Sequence, residues 1–111
     1  MKNWKILDKM AQLDEIVLLS KQKPQLIYKH STTCPVNADA KARIEQGFES
    51  LASKMDLYYL DLLTFRSISN EIETKFGVRH ESPQVLLLKD GKVVFHGSHY
   101  KFDVSDILKH V

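Results

Sequence analysis

Apolar residues change their spacing several times along the chain, and each change marks an element. Trp4 to Leu7 is a short alternating segment. Met10, Leu13 and Val17 then recur at three- and four-residue steps, predicting a helix that Asp8 can cap and that ends before Pro24. Gln25 to His30 is a β-rich run bounded by Pro24 and by the polar cluster Ser31-Thr32-Thr33. From Pro35 one helical stripe runs through Ala40, Ile44, Phe48 and Leu51. Leu57 to Leu63 is again β-rich. Ile68, Ile72 and Phe76 make the next helical stripe, with Gly77 placed to supply a left-handed residue at its end. Gln84 to Lys89 and Lys92 to His96 are strands joined by Asp90-Gly91, a pair suited to the type I′ turn because that turn needs positive φ at both central positions. Asp103 can cap a last helix through Ile107 and Leu108.

The order β α β α β α β β α predicts an α/β domain: parallel crossovers place helices on both faces of a central sheet, and the terminal hairpin makes that sheet mixed. The thioredoxin fold is one small domain of this plan, although the pattern alone does not select it. Length fits one domain over residues 1–111, because two would each be too small to bury a core, whereas a chain of this size buries roughly two-thirds of the surface its unfolded form exposes.

Charge narrows the partners. Sixteen Lys and Arg against 14 Asp and Glu are spread along the chain, so no basic stripe points to nucleic acid or to an anionic membrane surface. The opening MKNWKILDKMAQLDE lacks the apolar run of a secretory signal, and nowhere do about 18 apolar residues run together. A cytoplasmic location is expected.

There is one cysteine, Cys34. It excludes an intramolecular disulfide, a two-cysteine redox motif and a cysteine-cluster metal site built by one chain. Pro35 is suited to the first helical position, where its missing N–H would be unpaired anyway, and this makes Cys34 the N-cap. A sulfur there meets unpaired backbone N–H groups and the positive end of the helix dipole. Such sites lower a cysteine pKa from about 8.5 to roughly 3.5–7.5, and the thiolate is the nucleophile of thiol–disulfide exchange. A buried, inert thiol is the competing reading, and the polar residues before Cys34 and the helix-starting proline after it weigh against that.

Cys34-Pro35-Val36-Asn37 at a strand-to-helix junction resembles the active-site motif of the thioredoxin and glutaredoxin superfamily with its second cysteine replaced by Asn37, and Ser82-Pro83 resembles the superfamily's cis-proline position. More narrowly, Tyr28-Lys29-His30-Ser31-Thr32-Thr33-Cys34-Pro35, Gly77-Val78-Arg79-His80-Glu81-Ser82-Pro83-Gln84, Lys89-Asp90-Gly91-Lys92 and Gly97-Ser98-His99 resemble the YtxJ-type monothiol bacilliredoxins of the bacillithiol redox system. The resemblance runs from about Trp4 to the last helix. It departs at position 37, where Ser is more usual than Asn. It implies a thioredoxin-like fold and a thiol–disulfide oxidoreductase in which Cys34 removes bacillithiol from protein mixed disulfides. Without a cysteine at position 37, another molecule must then release the small thiol.

The partners so implied are bacillithiolated client proteins and, for resolving Cys34, bacillithiol or a protein reductant, with no tightly bound cofactor, metal, nucleic acid or membrane. Around Cys34 the supporting candidates are Thr33, beside the incoming disulfide, and Asn37, a donor to sulfur. Pro35, His80, Ser82 and Pro83 complete the set, the last two on the loop that faces the cysteine in the superfamily. Lys29, His30, Arg79 and His80 lie near the site loops and could attract an anionic thiol, but Lys29 and His30 alternate along one strand and cannot both face the cleft, so each is expected as a surface or strand-end charge. Four histidines, His30, His80, His96 and His99, lack zinc-motif spacing with Cys34. A Cys–His hydrolase would need an oriented base and an oxyanion hole that no motif supplies. Two alternatives remain: a redox-inert thioredoxin-fold binding module, whose thiol would titrate near 8.5, and a glutathione-linked monothiol glutaredoxin, whose Gly-Phe-Ser after the cysteine is not matched by Pro35-Val36-Asn37.

Overall fold

The computed structural model describes residues 4–31, 35–98 and 102–111, with residues 35–37 described by their backbone. Its elements are β1 (Lys5–Ile6), α1 (Ala11–Leu19), β2 (Gln25–His30), α2 (Pro35–Gln46), α3 (Phe48–Ala52), β3 (Asp56–Asp61), α4 (Arg66–Phe76), β4 (Gln84–Lys89), β5 (Lys92–Ser98) and α5 (Val104–Leu108). The five strands form one sheet in the order β1-β3-β2-β4-β5. β1, β3 and β2 are parallel, while β4 runs antiparallel to β2 and β5 antiparallel to β4. This is the mixed α/β sheet that the periodicity predicts.

Alternation along the strands divides the core. Leu26, Tyr28, Val85 and Leu87 point to one face, covered by Ala40 and Ile44 of α2, Phe48 and Leu51 of α3 and Ile107 of α5. Ile27, Leu60, Leu86 and Leu88 point to the other, covered by Leu13 and Ile16 of α1 and Ile68 and Ile72 of α4. Every residue of β2 is buried, the mark of a central strand covered on both sides.

The terminal signals act as their chemistry predicts, with two exceptions. Gly77 ends α4 at φ 67°, Asp90 and Gly91 turn the hairpin at φ 55° and 82°, and Asp103 accepts from Asp106 N–H in a reciprocal capping box. Asp8, however, does not cap α1, whose N-terminal residue Met10 makes no side-chain cap. Gln12 instead ties down the segment before the helix, accepting from the N–H groups of Asp8 and Lys9 at 2.8 Å each and donating to Ile6 O at 2.9 Å. The single helix predicted from Pro35 to Leu51 is two, α2 and α3, broken at Gly47. The i, i+4 stripe survives the break, so periodicity could not reveal it. The residue at the break meets a tertiary demand: a Cβ at Gly47 would lie 2.7 Å from Val104 Cγ1, and glycine lets α5 pack there.

Candidate active site

In parallel sheets, ligand sites form beyond the C-terminal strand ends. β2 and β3 finish together here, with Leu62 N–H donating to His30 O at 3.0 Å. β4 starts at the same end, because Lys29 pairs with Gln84 in antiparallel register. Extending that register by one residue sets Pro83 beside His30, at the junction that leads into α2. The Ser82–Pro83 peptide bond is cis. Residues 77–83 form the α4–β4 connection, which ends beside the last residue of β2, and α2 starts at Pro35 as predicted.

That loop is braced from four elements. His80 N–H donates to Glu73 Oε1 on α4 at 2.8 Å. Gln84 Nε2, at the head of β4, donates to Arg79 O at 2.9 Å. The Ser98 hydroxyl, at the end of β5, donates to Glu81. From β2, Lys29 Nζ reaches His80 Nδ1 at 3.2 Å, and Ser69 Oγ of α4 stands at 3.2 Å from the same nitrogen.

Two polar pairs flank the C-terminal half of β2. On the α2 face, the Tyr28 hydroxyl lies 2.8 Å from His30 Nδ1. Their rings pack with Trp4 and Tyr59 at centroid separations of 5.4–6.0 Å. Burial, reinforced by Tyr59 and Glu45, pushes the Tyr28 pKa up, and the hydroxyl stays protonated. Burial and the Lys41 charge pull His30 down, against Asp61 and Glu45, so its ring is neutral at pH 7. On the α4 face, Lys29 is 0 % exposed. Burial lowers its pKa to about 8, with Glu73 opposing. His80 is half-buried, and desolvation together with Lys29 and Arg66 pulls it down, against Glu73 and Glu81.

A family model for monothiol bacilliredoxin BrxC matches residues 5–107. The chain belongs to the monothiol bacilliredoxin BrxC family. Among solved structures, the chain is similar to a candidate oxidoreductase with a thioredoxin fold, at TM-score 0.83 and 29% identity over 96% of this chain and 91% of that one. Thioredoxins from Malassezia sympodialis and Fasciola hepatica match at TM-score 0.70 and 16% identity, each covering 96% of this chain and respectively 86% and 99% of theirs. At that identity they establish the thioredoxin fold alone.

Among the residues proposed from sequence, the fold places His80, Ser82 and Pro83 on one loop, the α4–β4 connection that ends beside the end of β2, with Pro83 buried. Pro35 opens α2 and Asn37 lies in its first turn. Thr33 and Cys34 lie outside the described residues. Arg79 is exposed, and its carbonyl is the part engaged. Lys29 and His30 correct the expectation of surface charges, being 0 % and 6 % exposed because β2 is central and both its faces are covered, while His30 does end its strand, as the alternative reading had it. Tyr28, Ser69 and Glu73 were not singled out by sequence. The i, i+2 spacing of Tyr28 and His30 was the available signal for the first, whereas nothing local links Ser69 or Glu73 to His80. Among the described residues, no three His, Asp or Glu side chains converge as a metal site requires, and no helix is long and apolar enough to cross a membrane.

Proposed function

We propose that this chain removes bacillithiol from protein mixed disulfides in a monothiol cycle. The Cys34 thiolate attacks the bacillithiol sulfur, a Cys34–bacillithiol disulfide forms, and the client sulfur leaves as a thiolate that takes up a proton. A second thiolate, from free bacillithiol or a protein reductant, then attacks the bacillithiol sulfur on Cys34; a new disulfide leaves and the Cys34 thiolate is regenerated. The observation that supports the reading is the strand register, which sets Pro83 beside His30, four residues before Cys34 in the chain. The family match supports the chemistry. With no second cysteine in the chain, the small thiol stays on Cys34 until another molecule removes it.

Thr33, Pro35, Asn37, His80, Ser82 and Pro83 support this chemistry, Asn37 as a donor to the sulfur and the Pro83 loop as the surface that receives the incoming disulfide. The cycle suits one domain in a reducing compartment such as the cytoplasm, where the resting thiol persists. Intact-mass spectrometry after mixing with a bacillithiolated client is expected to find one bacillithiol on wild-type protein and none on Cys34→Ser, with client release abolished in the variant. Wild-type protein that stays unmodified would overturn the proposal. Asn37→Cys is expected to form an intramolecular disulfide and to accept dithiol reductants.

A further inference from the structure

Lys29 has no place in the cycle just described, yet a wholly buried lysine is costly to keep. Its Nζ meets two acceptors: Ser69 O at 3.4 Å and His80 Nδ1 at 3.2 Å. An ammonium has three donors and no lone pair, so the imidazole nitrogen facing it must accept. A neutral histidine that accepts at Nδ1 carries its proton on Nε2. The ring is half-exposed with its Nδ1 edge turned inward to Lys29 and Ser69, and no described residue bonds its Nε2. The free polar edge of His80 is therefore an N–H donor, three residues before Pro83 on the α4–β4 connection.

We propose that Lys29 is a positioning residue that locks His80 as its Nε2–H tautomer, so that His80 donates to a carboxylate of the small thiol when that thiol attacks the Cys34 mixed disulfide. The inference rests on the functional reading above. A neutral donor backed by a buried ammonium suits an anionic acceptor, and bacillithiol carries carboxylates on its malate. The groups facing the pair are Ser69, Arg66 and Glu73 of α4 and Glu81 of the loop. Both carboxylates are engaged elsewhere, Glu73 by His80 N–H and Glu81 by Ser98. Desolvation, with the Lys29 and Arg66 charges, holds the ring's pKa below its ordinary value, which keeps Nδ1 free to accept.

The test has two independent parts. Long-range 15N–1H spectra of wild type at pH 7 are expected to give His80 as a single Nε2–H tautomer, and those of Lys29→Met a mixture of both. In single turnover from the preformed Cys34–bacillithiol adduct, His80→Ala is expected to raise the half-saturating bacillithiol concentration about tenfold, with a smaller change in limiting rate. His80→Gln, which keeps an N–H donor, recovers part of this, and Lys29→Met costs about threefold. With 2-mercaptoethanol, which has no carboxylate, the loss in the His80 variants should be much smaller than with bacillithiol. A wild-type ring protonated at Nδ1 overturns the lock. Unchanged half-saturation in His80→Ala, or an equal loss with 2-mercaptoethanol, overturns the donor role. Failure of the adduct to form overturns the functional reading and the donor role with it, whereas the tautomer is read without any thiol present.

Discussion

The two faces of β2 hold their buried polar groups in different ways. On the α2 side, Tyr28 and His30 are neutral, paired with each other and set among Trp4 and Tyr59, so their polar atoms are satisfied inside an aromatic stack. On the α4 side, one residue along the same strand, an ammonium is sunk beside a mostly aliphatic layer with a carbonyl and an imidazole as acceptors and, among the described residues, no carboxylate in contact. The first arrangement serves packing and costs little, since satisfied neutral groups are tolerated in a core. The second works against stability, since a buried charge without an ionic partner is unfavourable. A residue that the fold holds at a cost to itself is a candidate for function, and this contrast directs attention to Lys29 and His80.

Truncating the packing side should have the largest effect. Tyr28→Ala removes a fully buried ring and is expected to destabilise the protein by about 3 to 5 kcal/mol in urea unfolding. The opposite sign is expected across the strand. Lys29→Met keeps the volume and removes the buried charge but leaves Ser69 O and His80 Nδ1 without that donor, so a net stabilisation of about 1 kcal/mol is expected, together with weaker use of bacillithiol. A destabilised Lys29→Met would erase the contrast.

The pH dependence separates the faces further. The folded pKa of Lys29, about 8, lies below its ordinary 10.5. The unfolded chain therefore binds more protons between those values, and stability rises with pH across that window. The raised tyrosines act oppositely, but only above their ordinary 10.0, so pH 8 to 10 reports Lys29. Measured on Cys34→Ser to remove the thiol, the rise should be present and should flatten when Lys29→Met is added. On the acid side, His30 and His80 both have lowered pKa values, so the unfolded chain takes up their protons first. Stability is lost as pH falls below about 6.5. The smallest effect is expected from Tyr28→Phe, about 1 kcal/mol, because only the hydroxyl facing His30 is lost.

Much of the scaffold was legible because its signals are local. A proline fixes its own φ, a glycine accepts a positive one, and an aspartate caps the residues next to it, which is why α2 starts at Pro35, α4 ends at Gly77 and α5 carries the capping box at Asp103. The misses differ in range. Before α1 the side chain of Gln12, three to four residues on, takes up the backbone of Asp8 and Lys9, a local competition that spacing does not rank, whereas the glycine at position 47 answers to Val104 of a distant helix. The candidate site divides the same way: the Cys34-Pro35 junction and the Pro83 loop are readable as strings, whereas the Lys29–His80 contact joins residues 51 positions apart.

By itself the sequence determined the alternation of strands and helices, the hairpin, and the single thiol whose helix starts at Pro35. Those depend on backbone dihedrals and on spacing along a few residues. Only the tertiary structure decided that β2 lies at the centre of the sheet, and this placement buries Lys29 against α4, aims its ammonium at His80 and selects which ring nitrogen holds the proton. A lysine's charge is written in the chain, but its solvation and its acceptors are set by whatever the fold packs around it.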